Sequence, residues 1–106
     1  MVKVAIDCRM LGKSGIGVFL QNIIDIWIEK NECSFVLIGN AKALSKYAKL
    51  PNCRVVNFDA NIFSFSEQLY FPTREINTCD IFYSPNFNIA KGIKIPVVIT
   101  IHAVVS

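Results

Sequence analysis

The sequence predicts an α/β protein built on a parallel sheet with helices packed against it. Two observations carry this reading. Short apolar segments rich in β-branched residues alternate with helix-like segments, and such alternation implies parallel strands joined by right-handed crossovers. Mean hydropathy is high, +0.43, for a chain of 106 residues, as strands buried on both faces require. A membrane span would raise it too, but needs about 20 consecutive apolar residues. The apolar runs here are short and interrupted. Lys3 lies within residues 2–6, Gln21 closes 16–20, and Pro96 and Thr100 break 95–101. Asp7 and Arg9 interrupt the opening run, so it does not read as a signal peptide. A cytoplasmic protein is expected, with membrane contact no more than peripheral, at the inner face of the plasma membrane.

The elements follow in order. Residues 2–8 (VKVAIDC) read as a buried strand, and 9–15, with Gly12, Ser14 and Gly15, as a loop. Residues 16–30 read as a helix with one polar stripe, Gln21, Asp25 and Glu29, at a spacing of four. Its apolar surface is broad enough to meet a sheet and something else besides. Cys33–Gly39 is a second strand, 41–50 a short helix with Lys42, Lys46 and Lys49 on one face, and 53–58 a third strand. Residues 65–77 read as a helix ended or kinked by Pro72. Residues 80–83 and 96–102 are the fourth and fifth strands, with Pro96 at a tolerated first position.

Composition removes several function classes. With 53% apolar and 18% charged residues, the chain is not disordered. The net charge of +3 is mild, and no zinc-finger, RNP-like or arginine-rich pattern accompanies it, so nucleic acid is not an expected partner. Cys8, Cys33, Cys53 and Cys79 form no C-x-x-C pair. They read as free structural thiols, and no metal is expected.

In an open parallel sheet, ligands bind beyond the carboxyl ends of the strands, where strand order reverses. In the usual doubly wound order the first and fourth strands flank that point. Asp7, Arg9, Gly15 and Gly17 follow the first strand, Ser84, Asn86 and Asn88 follow the fourth, and His102 ends the fifth. Gly15 and Gly17 fit either a cradle for a phosphate or sugar hydroxyl or a plain strand-to-helix turn. Their spacing is not the dinucleotide fingerprint. His102, the single histidine, is either a hydrogen-bonding or basic group or a capping residue. Asp7 and Arg9 either pair with each other or hold the glycine loop. The lysines of the short helix read as a solvated face. The stretch of Phe63, Phe65, Leu69, Tyr70 and Phe71 reads as core, with a hydrophobic acceptor groove as the alternative.

Four segments in order, VAIDCRMLGKSGIGVFLQNII, FSFSEQLYFP, DIFYSPNFNI and IPVVITIH, resemble the start of bacterial family-4-type glycosyltransferases. The resemblance implies a Rossmann-like domain, the incomplete N-terminal half of a GT-B fold, with the donor-binding domain absent or supplied by a separate subunit. It implies retaining transfer of a hexose, such as mannose, from a nucleotide-sugar to a saccharide or lipid-linked acceptor. The nucleotide-sugar is substrate, and no cofactor or catalytic metal is implied. Gly15 and Gly17 would lie near donor phosphates or acceptor, Ser84, Asn86 and Asn88 on the acceptor side, and His102 near the reacting sugar. Four positions depart from the family pattern: Ala103 where Asp usually follows the histidine, Val18 and Phe19 after the Gly-Ile-Gly, and Ala90 for a proline. On this reading the chain alone is inactive and self-associates or needs a partner to cover apolar surface. The competing readings are a stand-alone α/β nucleotide-binding module and an inactive remnant or interaction subunit.

Overall fold

The computed structural model describes residues 1–11, 14–60, 70–85 and 91–99. Five strands form one sheet in the order β3-β2-β1-β4-β5, and every pairing is parallel. The strands are β1 Val2–Asp7, β2 Cys33–Gly39, β3 Cys53–Asn57, β4 Ile81–Ser84 and β5 Val97–Ile99. The helices are α1 Ser14–Lys30, α2 Ser45–Ala48 and α3 Thr73–Asn77. This is the expected α/β, Rossmann-like arrangement.

Each face of the sheet carries its own core. Side chains alternate across a strand, so Ile6, Phe35, Leu37 and Tyr83 point to the α1 side, where Leu20 and Ile24 meet them. Ala5, Val36, Ile38 and Phe82 point the other way, to Phe71 and Ile76. Strands covered on both faces account for the apolar runs and the high mean hydropathy. Trp27 packs edge-on to Tyr83, with ring centroids 5.5 Å apart.

Several boundaries move, each for a local reason. The second helix shrinks from the expected 41–50 to one turn. Asn40 Oδ1 accepts the backbone N–H groups of Lys42 and Ala43, and this Asx geometry holds 41–44 in turns. Lys42 and Lys49 therefore fall outside α2, and the expected lysine face does not form. Of the helix expected over 65–77, Thr73–Asn77 is described and begins after Pro72, whose missing N–H suits a helix start. Residues 63, 65 and 69 lie outside the described residues. Asn31 ends α1 with a left-handed φ of 53°, a common stop for which asparagine is suited.

Asp25 ties α1 to α2: the Tyr47 hydroxyl donates to its Oδ1 at 2.6 Å. Burial, and then the Asp25 carboxylate, push the Tyr47 hydroxyl well above its usual range. Burial also raises the thiols of Cys8, Cys53 and Cys79. The unfolded chain ionises thiols from about pH 8.5 and tyrosine from about pH 10, while the folded chain keeps these protons. Stability contributed this way is complete below those values and falls as pH rises beyond them. Denaturant midpoints should therefore drop between pH 8 and pH 11, and Tyr47→Phe should flatten the fall above pH 10. Midpoints that stay level over that range would refute the assignment.

Candidate ligand-binding edge

β1 and β4 are neighbours in the sheet, although α1, β2, α2, β3 and α3 lie between them in the chain. From β1 the chain turns toward β2 and from β4 toward β5, on opposite sides. The carboxyl ends of β1 and β4 therefore flank the switch point where such sheets open a crevice.

Among the described residues, the buried polar or charged side chains are Asp7, Arg9 and Ser84. All three sit at this edge. The register that pairs Ala5 with Phe82 and Ile6 with Tyr83 carries Asp7 alongside Ser84 on one face. Burying polar groups is costly unless they are hydrogen-bonded, and Asp7 and Arg9 satisfy each other closely. Arg9 Nε donates to Asp7 Oδ1 at 3.0 Å, an Arg9 terminal nitrogen donates to Oδ2 at 2.6 Å, and the Arg9 backbone N–H adds a third bond to Oδ1 at 3.1 Å. This is the two-pronged guanidinium–carboxylate geometry, the strong form of the charge-assisted hydrogen bond.

The rest of the guanidinium is engaged as well. Its other terminal nitrogen donates to the Ala60 carbonyl at 3.2 Å. Its carbon lies 5.5 Å from the Phe58 ring centre and 5.3 Å from that of Phe71, within the range of cation–π attraction. Of the two readings of Asp7 and Arg9, the structure supports mutual pairing, extended to the chain beyond β3. The pair ties the end of β1 to the chain beyond β3.

Gly15 and Gly17 lie in the first turn of α1, on the chain that leaves β1. Gly17 is buried and Gly15 exposed. A Cβ built on Gly15 would meet no atom within 4 Å, so its lack of a side chain is not required by packing. Glycine is a poor helix former, and Ala in a helix interior is favoured by about 1 kcal/mol. Gly15→Ala should therefore leave stability unchanged or raise it by up to about 1 kcal/mol. If Gly15 faces a ligand, the same change weakens binding. Thermal melts and ligand titrations of one variant separate the two effects, and lost stability would show that packing needs the glycine after all.

Gly39 is different. Its Cβ would come within 3.3 Å of the Cys8 backbone, so β2 closes tightly on the end of β1. That contact and the bond from Cys8 N–H to the Ile38 carbonyl at 2.7 Å fix where the loop after β1 starts.

Asn86, Asn88 and His102, expected at this edge, lie outside the described residues, as do Ala90 and Ala103. Phe58 and Phe71 were not singled out for a role beside Arg9, because their contact with it spans distant segments and leaves no local pattern. Among the described residues no group of three or more His, Cys, Asp or Glu side chains could hold a metal ion, and no helix is long and apolar enough to cross a membrane.

Fold and edge together define the class: an open, doubly wound parallel sheet with a buried ion pair at its switch point. No protein-family model matches the chain, and no curated protein or solved structure matches it either.

Proposed function

We propose that the chain is the acceptor-side part of a glycosyltransferase, moving a hexose from a nucleotide-sugar to a saccharide or lipid-linked acceptor. The observation that carries the reading is the clustering of Asp7, Arg9 and Ser84, all buried, at the carboxyl edge of β1 and β4. These residues come from two of the four segments that resemble family-4-type glycosyltransferases. In this reading Gly15 and Gly17 let backbone approach the donor phosphates or acceptor, and Ser84, Asn86 and Asn88 hold acceptor hydroxyls. His102 stands near the reacting sugar. The Asp7–Arg9 pair keeps the wall of the cleft in place.

Glycosyl transfer needs charge stabilisation focused on the transition state from both sides of the cleft. The donor-binding half must then come from further sequence or a second polypeptide, and the 106 residues alone are inactive. The test incubates the chain with labelled GDP-, UDP- and ADP-sugars and oligosaccharide or lipid-linked acceptors. It is run with and without the polypeptide encoded immediately downstream. Sugar transfer in the mixture alone supports the reading. Tight nucleotide binding by the isolated chain would favour a self-contained nucleotide-binding module. Neither binding nor transfer in any mixture would favour an interaction subunit.

A further inference from the structure

Tyr70, expected in the core, is 71% exposed, more than any other aromatic ring among the described residues. It lines a cavity of about 410 Å³ between the end of β3 and the start of α3, a volume within the range of small-ligand sites. Asn57, Phe58, Thr73, Arg74 and Glu75 line it too. Phe58 also lies against the Arg9 guanidinium, so the cavity shares a wall with the buried ion pair at the carboxyl edge.

The frame of the cavity is rigid. Pro72, with φ −77° and ψ 59°, is the centre of an inverse γ-turn, closed by the Thr73 N–H donating to the Phe71 carbonyl at 2.7 Å. Phe71 and Ile76 anchor this segment in the core beneath the sheet. On the β3 side, Asn57 Oδ1 accepts the Ala41 backbone N–H at 3.0 Å, which holds the amide in place. The polar side-chain groups on this frame keep spare capacity. Asn57 Nδ2, the Thr73 and Tyr70 hydroxyls, the Arg74 guanidinium and the Glu75 carboxylate have no hydrogen bond or ion pair within the chain. A pre-organised site loses little freedom when a ligand arrives.

We propose that this cavity binds a neutral saccharide. An exposed tyrosine supplies a broad apolar face at low entropic cost, and the negative face of its ring attracts the C–H groups on one side of a sugar. Donors and acceptors stand together around it, as a polyhydroxylated ligand requires. The lining carries one cation, Arg74, and one anion, Glu75. Their charges offset, so a nucleotide or another polyanion gains no net attraction here. The choice of ligand follows from this lining and does not rest on the glycosyltransferase reading.

The test titrates the ¹⁵N-labelled chain with mannotriose, maltotriose and cellotriose to about 20 mM, well above a weak dissociation constant of about 1 mM. With at least one of them, the Asn57 side-chain amide and the backbone amides of Tyr70, Thr73, Arg74 and Glu75 should shift along one saturable curve. Tyr70→Ala should weaken that binding at least about tenfold and leave the urea midpoint in place, because the ring is exposed. GDP and a proline-rich peptide should leave these signals unmoved. Silence with all three saccharides, preferential binding of GDP or the peptide, or a Tyr70→Ala variant that binds as tightly as wild type would overturn the proposal. Saccharide binding here with no sugar transfer in any mixture would sustain it and count against the proposed function. Transfer that proceeds with these amides unmoved would do the reverse.

Discussion

Replacing Arg9 with methionine should destabilise the folded chain by about 3–5 kcal/mol, the usual result of removing one partner of a buried ion pair. The size follows from what stays behind. Asp7 is 1% exposed and accepts two side-chain bonds from Arg9, at 3.0 and 2.6 Å. Without the guanidinium its carboxylate stays buried with its principal cation gone. Arg9→Lys keeps the charge but loses the planar fork that meets both carboxylate oxygens, so it should recover only part of the stability. Replacing both residues, as Asp7→Leu with Arg9→Met, should cost less than Arg9→Met alone, since the stranded charge is gone. Urea midpoints of the four proteins measure all of this. A loss below about 1 kcal/mol for Arg9→Met, the range of an exposed pair, would mean that the brace is not an integral part of the fold.

Phe71→Ala should be comparably damaging, about 3–5 kcal/mol for a buried aromatic. Phe71 meets Phe58 edge-on at 5.4 Å and Phe82 at 6.1 Å between ring centres. It also faces the Arg9 guanidinium. It thus joins the core between the sheet and α3 to the brace at the carboxyl edge. The two substitutions share an interaction, so their effects should fail to add by about 0.5–3 kcal/mol in a double-mutant cycle. Strict additivity would show that core and brace are energetically separate. In that case damage to the core would not reach the carboxyl edge.

The sheet was legible because its information is local. Runs such as CSFVLIG and VKVAID bury both faces, and that requirement shows in composition alone. The glycines, turn residues and Pro72 marked most breaks for the same reason. The second helix was overestimated because 41–50 has helix-compatible residues throughout. The competing signal was the Asn40 side chain, which takes the N–H groups of Lys42 and Ala43. The site was legible in part. Asp7, Arg9 and Ser84 were drawn to one edge by strand order alone, since a parallel sheet puts all its carboxyl ends together. Their chemistry depended on burial. Pairing of Arg9 with Asp7, rather than a hold on the glycine loop, depends on Phe58, Ala60 and Phe71 around the guanidinium, and its bond to Ala60 crosses about 50 residues of chain. Asn77 shows the same limit. Its amide bonds the Gly92 carbonyl and the Lys94 N–H at 2.8 and 2.7 Å, joining α3 to the approach to β5, and no local pattern announces it.

The proposed function puts ligand at the carboxyl edge between β1 and β4. The direct measurement is a ¹⁵N-labelled amide titration of the chain with acceptor oligosaccharides and, separately, with nucleotide-sugars. Acceptor-induced shifts are expected at Arg9, Gly15, Gly17 and Ser84, with little response at Lys30 and Cys33, at the other end of the sheet. Shifts confined to Lys30, Cys33 and their neighbours, or none at the carboxyl edge at saturating acceptor, would contradict that placement.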